Sequence, residues 1–291
     1  MQRVRAAVAA RDFTGAETAL ASFETANGQS PEWLEGYSWI ARGHLAAGQD
    51  DDARRHASRA YDLAAAMLKT RPMDAEPRLP IAYGAAVEVL CQLDARRGAR
   101  TEALNLLDRE LAAHAGTSIE KRIRKNINLI SLAGTKAPAL VRTEHLGAAT
   151  PALDDLRGNV VLLFFWAHWC GDCKSMAPVL AELDAAYRDR GLVILAPTQR
   201  YGYVQGGTDA EPAQERAYIE QVVAESYPVL AKVPVPLDAA NHLQYGVSTT
   251  PTVVLVDRTG IIRLYHPGRM TRDDLEPHLR EWLAADAGRA N

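Results

Sequence analysis

The spacing of apolar positions changes about midway along the chain. Over residues 1–133 they recur every three and four positions, Ala and Leu are abundant and β-branched residues are sparse, which is typical of helices. After residue 136, short apolar runs rich in β-branched residues alternate with helical stretches. We therefore predict two domains, an all-α domain over residues 1–133 and an α/β domain over residues 134–291.

Small residues repeat at fixed offsets in the helical half. The same offsets separate Ala41, Gly48, Ala53 and Ala57, and then Cys91, Gly98, Ala103 and Leu107. Small side chains there let two antiparallel helices approach closely, with the glycine at the turn. The spacing resembles the helix-turn-helix unit of tetratricopeptide repeats, although the Trp and Tyr signature is not matched and the period is irregular. We predict a repeat-like domain in which Cys91 is a small buried residue and not a reactive thiol.

Three further segments belong to this prediction. FTGAETALASF at 13–23 is predicted to be the second helix of an earlier unit, KTRPMDAEPRLP at 69–80 a loop between units, and a helix near 118–132 the cap of the array. The basic run EKRIRKN at 120–126 lies within that last helix. We expect it to form a solvated face, since charge runs usually contact water.

Composition argues against several classes of protein. The formal net charge of −3 leaves no basic excess for a dominant nucleic-acid-binding surface. No stretch approaches the roughly 20 apolar residues that a membrane-spanning helix needs. The apolar run in MQRVRAAVAARDF is too short for a signal peptide, so we expect none in the chain as given.

The order of elements after residue 136 predicts a sheet. The strand-like runs VVLLFFWA and LVILAPT alternate with helical stretches, which indicates a mainly parallel sheet covered on both faces. Toward the end, PTVVLVDRTGIIRLYH is typical of two strands joined by a turn at Asp257–Gly260, hence a hairpin on the sheet. A closing helix is predicted to begin at a capping Thr271.

Two of the three cysteines, Cys170 and Cys173, stand three positions apart. Such a pair can bind a metal, close a short structural disulfide or exchange electrons. Structural zinc needs four ligands, no second cysteine pair exists and His242 and His266 are isolated in the sequence, so we expect no metal site. A structural disulfide over so short a loop would stabilise little. A redox role is favoured because Cys170 falls at a strand-to-helix junction, where a helix N-terminus stabilises the attacking thiolate, and Cys173 is placed to resolve the mixed disulfide.

The sequence around this pair resembles thioredoxins. FFWAHWCGDCK, with Pro178 five residues after the second cysteine, is similar to their active-site strand and helix, and TTPTVVLVDRTG to their second signature. The closer match, over about residues 136–287, is the TlpA/ResA-like group of exported thiol-disulfide oxidoreductases. The resemblance implies a thioredoxin-like fold with a mixed central sheet, a cis bond before Pro251, and substrate contacts from Trp169, Thr250 and Pro251. Trp166, in the strand, is predicted to be core.

Two positions depart from the thioredoxin pattern. Thioredoxins have a buried acid six residues before the first cysteine, and that position here is Phe164, so proton transfer must differ. Asp172 adds a negative charge near Cys170, which raises the pKa of that thiol, whereas a protonated His168 would lower it. A less stabilised thiolate gives a more reducing couple, and we therefore predict a reductant.

The resemblance also implies partners and a location. The chain would reduce a disulfide or an oxidised cysteine of a substrate protein in an extracytoplasmic compartment, with electrons from a thiol protein that is membrane-bound for exported relatives, and without a cofactor. The helical repeats would bind a protein partner or serve as a structural element.

Two other functions stay open. One is a redox-inactive scaffold that acts through its repeats, against which the presence of both cysteines argues. The other is a thiol peroxidase, which would need a threonine where Ala167 stands.

Overall fold

The chain divides into two compact units, the first spanning Met1–Ile130 and the second beginning at Ser131. The computed structural model describes residues 1–284. The predicted boundary after residue 133 therefore lies three residues beyond the observed one. Residues 285–291, which the prediction assigns to the second domain, lie outside the described residues. Within the described part no helix is long and apolar enough to cross a membrane.

The first unit is helical throughout, as predicted. Its helices are α1 Gln2–Ala9, α2 Phe13–Asn27, α3 Pro31–Ala46, α4 Asp50–Leu68, α5 Arg78–Arg96, α6 Arg100–Ala113 and α7 Glu120–Ser131, with a short 3₁₀ helix at Met73–Ala75. The segment predicted as the second helix of an earlier unit lies in α2, and the predicted final helix is α7. Short turns join α3 to α4 and α5 to α6.

The repeated small residues lie where these helices pack and turn. Gly48 and Gly98 occupy the two turns with φ of +74° and +84°, a conformation that glycine adopts without steric cost. Ala53 and Ala103 are fully buried. Cys91 is also fully buried, and burial raises the pKa of its thiol to about 12. Its predicted place in the core is confirmed, and its lack of reactivity stays a prediction.

Two expectations for the helical unit are wrong. Arg78–Pro80, the end of the predicted loop, forms the first turn of α5, which tolerates Pro80 because the first N–H groups of a helix have no intrahelical partner. The run 120–126 is not simply a solvated face, since Lys125 is buried and donates a hydrogen bond to Glu88 at 2.7 Å. The Glu88 carboxylate attracts this lysine into the interior of the unit.

Glu88 lies among three cations. Arg42 approaches its carboxylate to 3.3 Å and Arg122 to 3.7 Å, in addition to Lys125. Burial opposes ionisation of Glu88, but the charges of Lys125, Arg42 and Arg122 outweigh it and hold the pKa of Glu88 below its ordinary value. These ion pairs join α3, α5 and α7.

The second unit is built on a four-stranded sheet. Its strands and helices are β1 His145–Leu146, β2 Val160–Phe165, α8 Gly171–Tyr187, β3 Leu192–Leu195, α9 Pro212–Ser226, β4 Val235–Pro236, α10 Ala239–Gln244, β5 Thr252–Val256, β6 Ile262–Pro267 and α11 Arg272–Ala284. Short 3₁₀ helices occur at Leu153–Leu156, Arg188–Arg190, Gln205–Gly207 and Leu230–Lys232. The main sheet has the order β3-β2-β5-β6, and β1 pairs separately with β4.

The sheet is mixed, as the thioredoxin resemblance implies. β2 pairs parallel with β3, but β5 pairs antiparallel with both β2 and β6. The expectation of a mainly parallel sheet is therefore wrong, because the predicted hairpin of β5 and β6 joins β2 in the opposite direction.

Both faces of this sheet are covered, as predicted. Leu162 and Phe164 of β2 pack in one apolar cluster with residues of α8, α9 and α11, whereas Leu163 and Phe165 pack in another with residues of the segments that follow α7 and α10. Because successive side chains of a strand point to opposite faces, a strand buried on both sides is apolar throughout. The predicted cap of α11 is also confirmed, since Thr271 and Asp274 bond reciprocally through side chain and backbone.

Candidate functional site

The cysteine pair lies at the junction between β2 and α8, with Cys170 at the end of the connecting loop and Cys173 in the first turn of the helix. All six residues of β2 are buried, so the strand anchors the loop that follows it in the core. Cys170 is the N-cap residue of α8, and its Sγ accepts a hydrogen bond from the backbone N–H of Cys173 at 3.0 Å. The two sulfurs form a disulfide. The predicted position at a helix N-terminus is confirmed, and the positive end of α8 lies at the Cys170 sulfur.

The disulfide is flanked by an exposed aromatic side chain. Trp169 is 50% exposed, whereas Cys170 is 3% exposed and Cys173 is fully buried. Trp166 is core as predicted, and its Nε1 donates to the Ala196 carbonyl at 3.0 Å. Tryptophan is enriched at protein interfaces, because its ring is large and apolar and its N–H can find a hydrogen-bond partner. Trp169 therefore gives the region next to Cys170 an apolar surface that another molecule can contact.

Strand register places the second thioredoxin-like signature, TTPTVVLVDRTG, at the edge of the sheet where the loop to Cys170 begins. Phe165 pairs with Thr252, so the end of β2, which leads to Cys170, lies beside the start of β5. The Thr250–Pro251 peptide bond that precedes β5 is cis, as the resemblance implies. Pro251 is buried, and the Oγ1 of the partly buried Thr250 has no hydrogen-bond partner in the structure.

His168 lies in a buried cluster that sequence reasoning missed. Its Nε2 is 3.2 Å from Oε1 of Glu215 on α9, and both side chains are 1% exposed. The Glu215 carboxylate also accepts hydrogen bonds from the backbone N–H groups of Tyr201 at 2.5 Å and Gly202 at 2.9 Å. Three tyrosine rings meet the imidazole edge-on, with centroid distances of 5.5, 5.4 and 5.3 Å: Tyr201, Tyr203 and Tyr218.

This environment decides the charge of His168. Burial lowers the pKa of His168, although the hydrogen bond and the charge of Glu215 act in the opposite direction. The imidazole is therefore neutral at pH 7. The positive charge through which His168 is predicted to act on Cys170 is absent at that pH, and its role in tuning the thiol stays a prediction.

The two departures from the thioredoxin pattern have different surroundings. Phe164 is fully buried on β2 and contributes only apolar packing. Asp172 lies in the first turn of α8 with its side chain exposed. A charge so placed acts on Cys170 through solvent, and its effect is correspondingly small.

In the described part of the second unit, the histidines form no cluster that could hold a metal ion. Within residues 1–284, neither His242 nor His266 belongs to a group of three or more His, Cys, Asp and Glu side chains close enough to share an ion. The group that meets this criterion lies in the helical unit, at Glu17, His44 and His56.

Fold and site together define a thioredoxin-like protein with a two-cysteine centre. The Redoxin family matches residues 132–281. Over 148 residues the chain is 30% identical to the thiol-disulfide oxidoreductase ResA of Geobacillus kaustophilus, covering 50% of this chain and 75% of that protein. It is 28% identical to the thioredoxin-like protein YneN of Bacillus subtilis over 146 residues, covering 50% and 78% of the two chains.

A solved structure adds a further likeness. It is the exposed lipoprotein thioredoxin Etrx1 of Streptococcus pneumoniae, with 27% identity, a TM-score of 0.38, and coverage of 47% of this chain and 98% of that one.

The chain belongs to the Redoxin family. It is a thiol-disulfide oxidoreductase with a thioredoxin-like domain preceded by a helical domain.

Proposed function

We propose that the protein reduces disulfide bonds in other proteins, with Cys170 as the attacking thiol and Cys173 as the resolving thiol. The observation that carries the assigned roles of the two thiols is the position of Cys170 at the N-cap of α8, where its sulfur accepts the Cys173 N–H. Helix N-termini lower thiol pKa values because their N–H groups and dipole stabilise the thiolate. Cys173, inside the helix and fully buried, lacks this position.

The reaction proceeds in two exchanges. The Cys170 thiolate attacks one sulfur of the substrate disulfide, forming a mixed disulfide and releasing the other substrate sulfur as a thiolate that takes up a proton. Cys173 then loses its proton and attacks the Cys170 sulfur, which releases the second substrate thiol. The substrate gains two electrons and two protons, and the protein is left with the Cys170–Cys173 disulfide. A thiol protein restores the dithiol by the reverse sequence.

We assign the substrate-facing surface to Trp169, Thr250 and Pro251. Support comes from the exposure of Trp169 and from the β2–β5 register, which places the cis Thr250–Pro251 bond at the edge of the sheet where the cysteine loop begins. The indole ring of Trp169, next in sequence to the attacking Cys170, can pack against the side chains that surround a disulfide in a protein substrate.

We assign proton transfer to the His168–Glu215 pair in place of the acid missing at Phe164. The Nδ1 of His168 is buried and has no hydrogen-bond partner among residues 1–284. With Nε2 donating to Glu215, this Nδ1 has a free lone pair two residues from Cys170, which suits a proton acceptor. Asp172 biases the couple toward reduction of the substrate, because its charge opposes the thiolate.

We further propose that the helical domain, which is tetratricopeptide-like in its small-residue spacing, binds a partner protein. The protein would act in an extracytoplasmic compartment on a disulfide or an oxidised cysteine and receive electrons from a thiol protein, membrane-bound as for exported relatives. Support for this location comes from the TlpA/ResA resemblance and from the similarity to ResA.

A trapping experiment tests the assignment of the two cysteines. Cys173→Ser, once reduced, should accumulate a mixed disulfide with a peptide disulfide through Cys170, because no resolving thiol is present. Cys170→Ser should form none, and the buried Cys91→Ser serves as the matched control with full turnover. Mass spectrometry of the trapped species locates the bond. Trapping through Cys173, or turnover in Cys170→Ser, would overturn the assignment.

A further inference from the structure

Three helices of the helical domain bring one acid and two histidines together. Glu17 of α2, His44 of α3 and His56 of α4 each offer a ligand atom, and these atoms lie within 4.8 Å of one another. His44 and His56 are 5% and 4% exposed, whereas the side chain of Glu17 is 49% exposed. We propose that this cluster binds a late first-row divalent metal ion such as Zn²⁺.

His44 has the environment of a metal ligand. Its Nδ1 lies 2.7 Å from Oε1 of Gln49, and an amide oxygen can only accept, so Nδ1 carries the hydrogen. In the neutral imidazole, Nε2 is then the nitrogen with the free lone pair. This Nε2 is buried and has no hydrogen-bond partner among the described residues. Metal-ligating histidines typically donate their other ring N–H to a carbonyl or carboxylate in this way. Phe13 stacks on the ring at a centroid distance of 4.1 Å and helps to fix its orientation.

His56 and Glu17 supply the other two ligands. Nε2 of His56 lies 3.1 Å from Oε1 of Glu17, and the His56 ring is nearly parallel to that of His44 at a centroid distance of 5.1 Å. Two imidazoles and one carboxylate form a donor set that zinc uses when it keeps a fourth position for water.

The geometry requires a small closure. Tetrahedral zinc with bonds of about 2.0–2.1 Å places its ligand atoms about 3.4 Å apart. His56 and Glu17, at 3.1 Å, already have about this spacing, whereas the widest separation in the cluster, at most 4.8 Å, must close by up to about 1.4 Å. Glu17, half exposed, can move by that much. A cavity of about 260 Å³, lined by Glu17, Tyr37 and His56 among other residues, reaches the cluster. It offers an entry path and room for a water ligand.

Arg55 stands in the way of the ion. Its Nη2 is 3.4 Å from Nε2 of His56, while its Nη1 contacts Asp52 at 2.6 Å. The Arg55 side chain is 65% exposed, so it can swing into solvent when the metal binds. Because the guanidinium must be displaced before the metal binds, it lowers the metal affinity. Removing Arg55 should therefore raise the affinity, whereas removing a ligand should lower it.

A bound ion would tie α2 to the α3–α4 pair. Because an ion bound only by the folded state shifts the unfolding equilibrium, it would stabilise the helical domain in proportion to the logarithm of its free concentration. The cysteines of the redox centre take no part in this site.

Zinc titration of the full chain, free of any affinity tag and oxidised at Cys170 and Cys173, tests the proposal. Oxidation removes the thiolates that would otherwise bind zinc. Competition against a chromophoric chelator should reveal one equivalent of Zn²⁺. Mg²⁺, which prefers oxygen ligands, should not displace it.

Variants locate the site. Affinity should fall at least about tenfold in His44→Gln, His56→Gln and Glu17→Gln, be unchanged in the control His114→Gln of the same domain, and rise in Arg55→Gln. Should a histidine variant fail to fold, Glu17→Gln and Arg55→Gln decide, since the Glu17 side chain is half exposed and the Arg55 side chain is 65% exposed. Absence of a stoichiometric site, or equal affinity in wild type and the ligand variants, would overturn the proposal.

Discussion

Replacing Asp172 by Asn tests how the charge in the first turn of α8 sets the redox couple. The side chain is exposed and belongs to the second residue after Cys170. For two residues so spaced in a helix, the separation between the carboxylate and the thiolate is roughly 6 Å. At that separation, in a dielectric of about 80, two unit charges interact by about 0.7 kcal/mol. Removing the repulsion should lower the pKa of the Cys170 thiol, because the thiolate no longer faces a nearby negative charge.

The same energy sets the change in reduction potential. Stabilising the thiolate stabilises the reduced form, so the potential should rise, by up to about 15 mV where the thiol is fully ionised. That is roughly a threefold change in the equilibrium constant with glutathione. The shift should grow with pH until the thiol is ionised, because an uncharged thiol does not sense the carboxylate.

Equilibration with glutathione at several pH values, followed by thiol trapping and mass spectrometry, measures the effect. Asp189→Asn is the matched control, since Asp189 is exposed beyond the far end of α8. Seventeen residues of helix place it about 25 Å away, well beyond the screening length of about 8 Å. A potential that falls, or that moves no more than in the control, would refute the assigned role of Asp172.

Three other outcomes follow from the structure. Glu88→Gln leaves the buried Lys125 and the partly buried Arg122 without their carboxylate and should destabilise the fold by about 3 kcal/mol, as measured by urea unfolding. The exposed control Glu102→Gln should cost less than about 0.5 kcal/mol. The folded-state pKa of Glu88 is lowered from its ordinary value of 4.5, so its ion pairs stabilise the fold above pH 4.5 and are lost as the pH falls through the folded-state pKa. The free energy of unfolding of the wild type should therefore fall more steeply in this acidic range than that of Glu88→Gln, which has no carboxylate to protonate. Trp169→Ala should raise KM for a protein disulfide about tenfold and leave the reduction potential unchanged, whereas a shifted potential would mean that the ring acts on the sulfur itself.

Local patterns predict the elements around the redox centre well. A buried β-rich run followed by Cys-x-x-Cys and a helical stretch places Cys170 at the start of α8, since these signals are contiguous in sequence. The hairpin of β5 and β6 follows from its turn residues. The direction in which that hairpin joins β2 does not, because strand order depends on contacts between distant segments.

Residues that act through long-range contacts were missed for the same reason. Glu215 lies within a long helical stretch and has no local signature, yet it meets His168, which is 47 positions earlier. His44 and His56 lie on the two antiparallel helices that flank the Gly48 turn, and their side chains meet because these helices pack together. A search for histidines at the close spacing of a metal-binding motif does not find this pair. Lys125 lies in a run of charged residues, which is typical of a surface. Its burial could not be predicted from that run, because its partner, Glu88, lies on another helix.

The reduction potential of the Cys170–Cys173 couple tests the central claim most directly. Equilibration of the full chain with glutathione or dithiothreitol, with trapping of free thiols and mass spectrometry, gives the value. We expect a reversible two-electron couple at or below about −250 mV, in the range of thioredoxin-type reductants. A value near −120 mV, roughly that of a strong oxidant, would make the protein a disulfide donor, and a pair that does not cycle would contradict the redox account altogether.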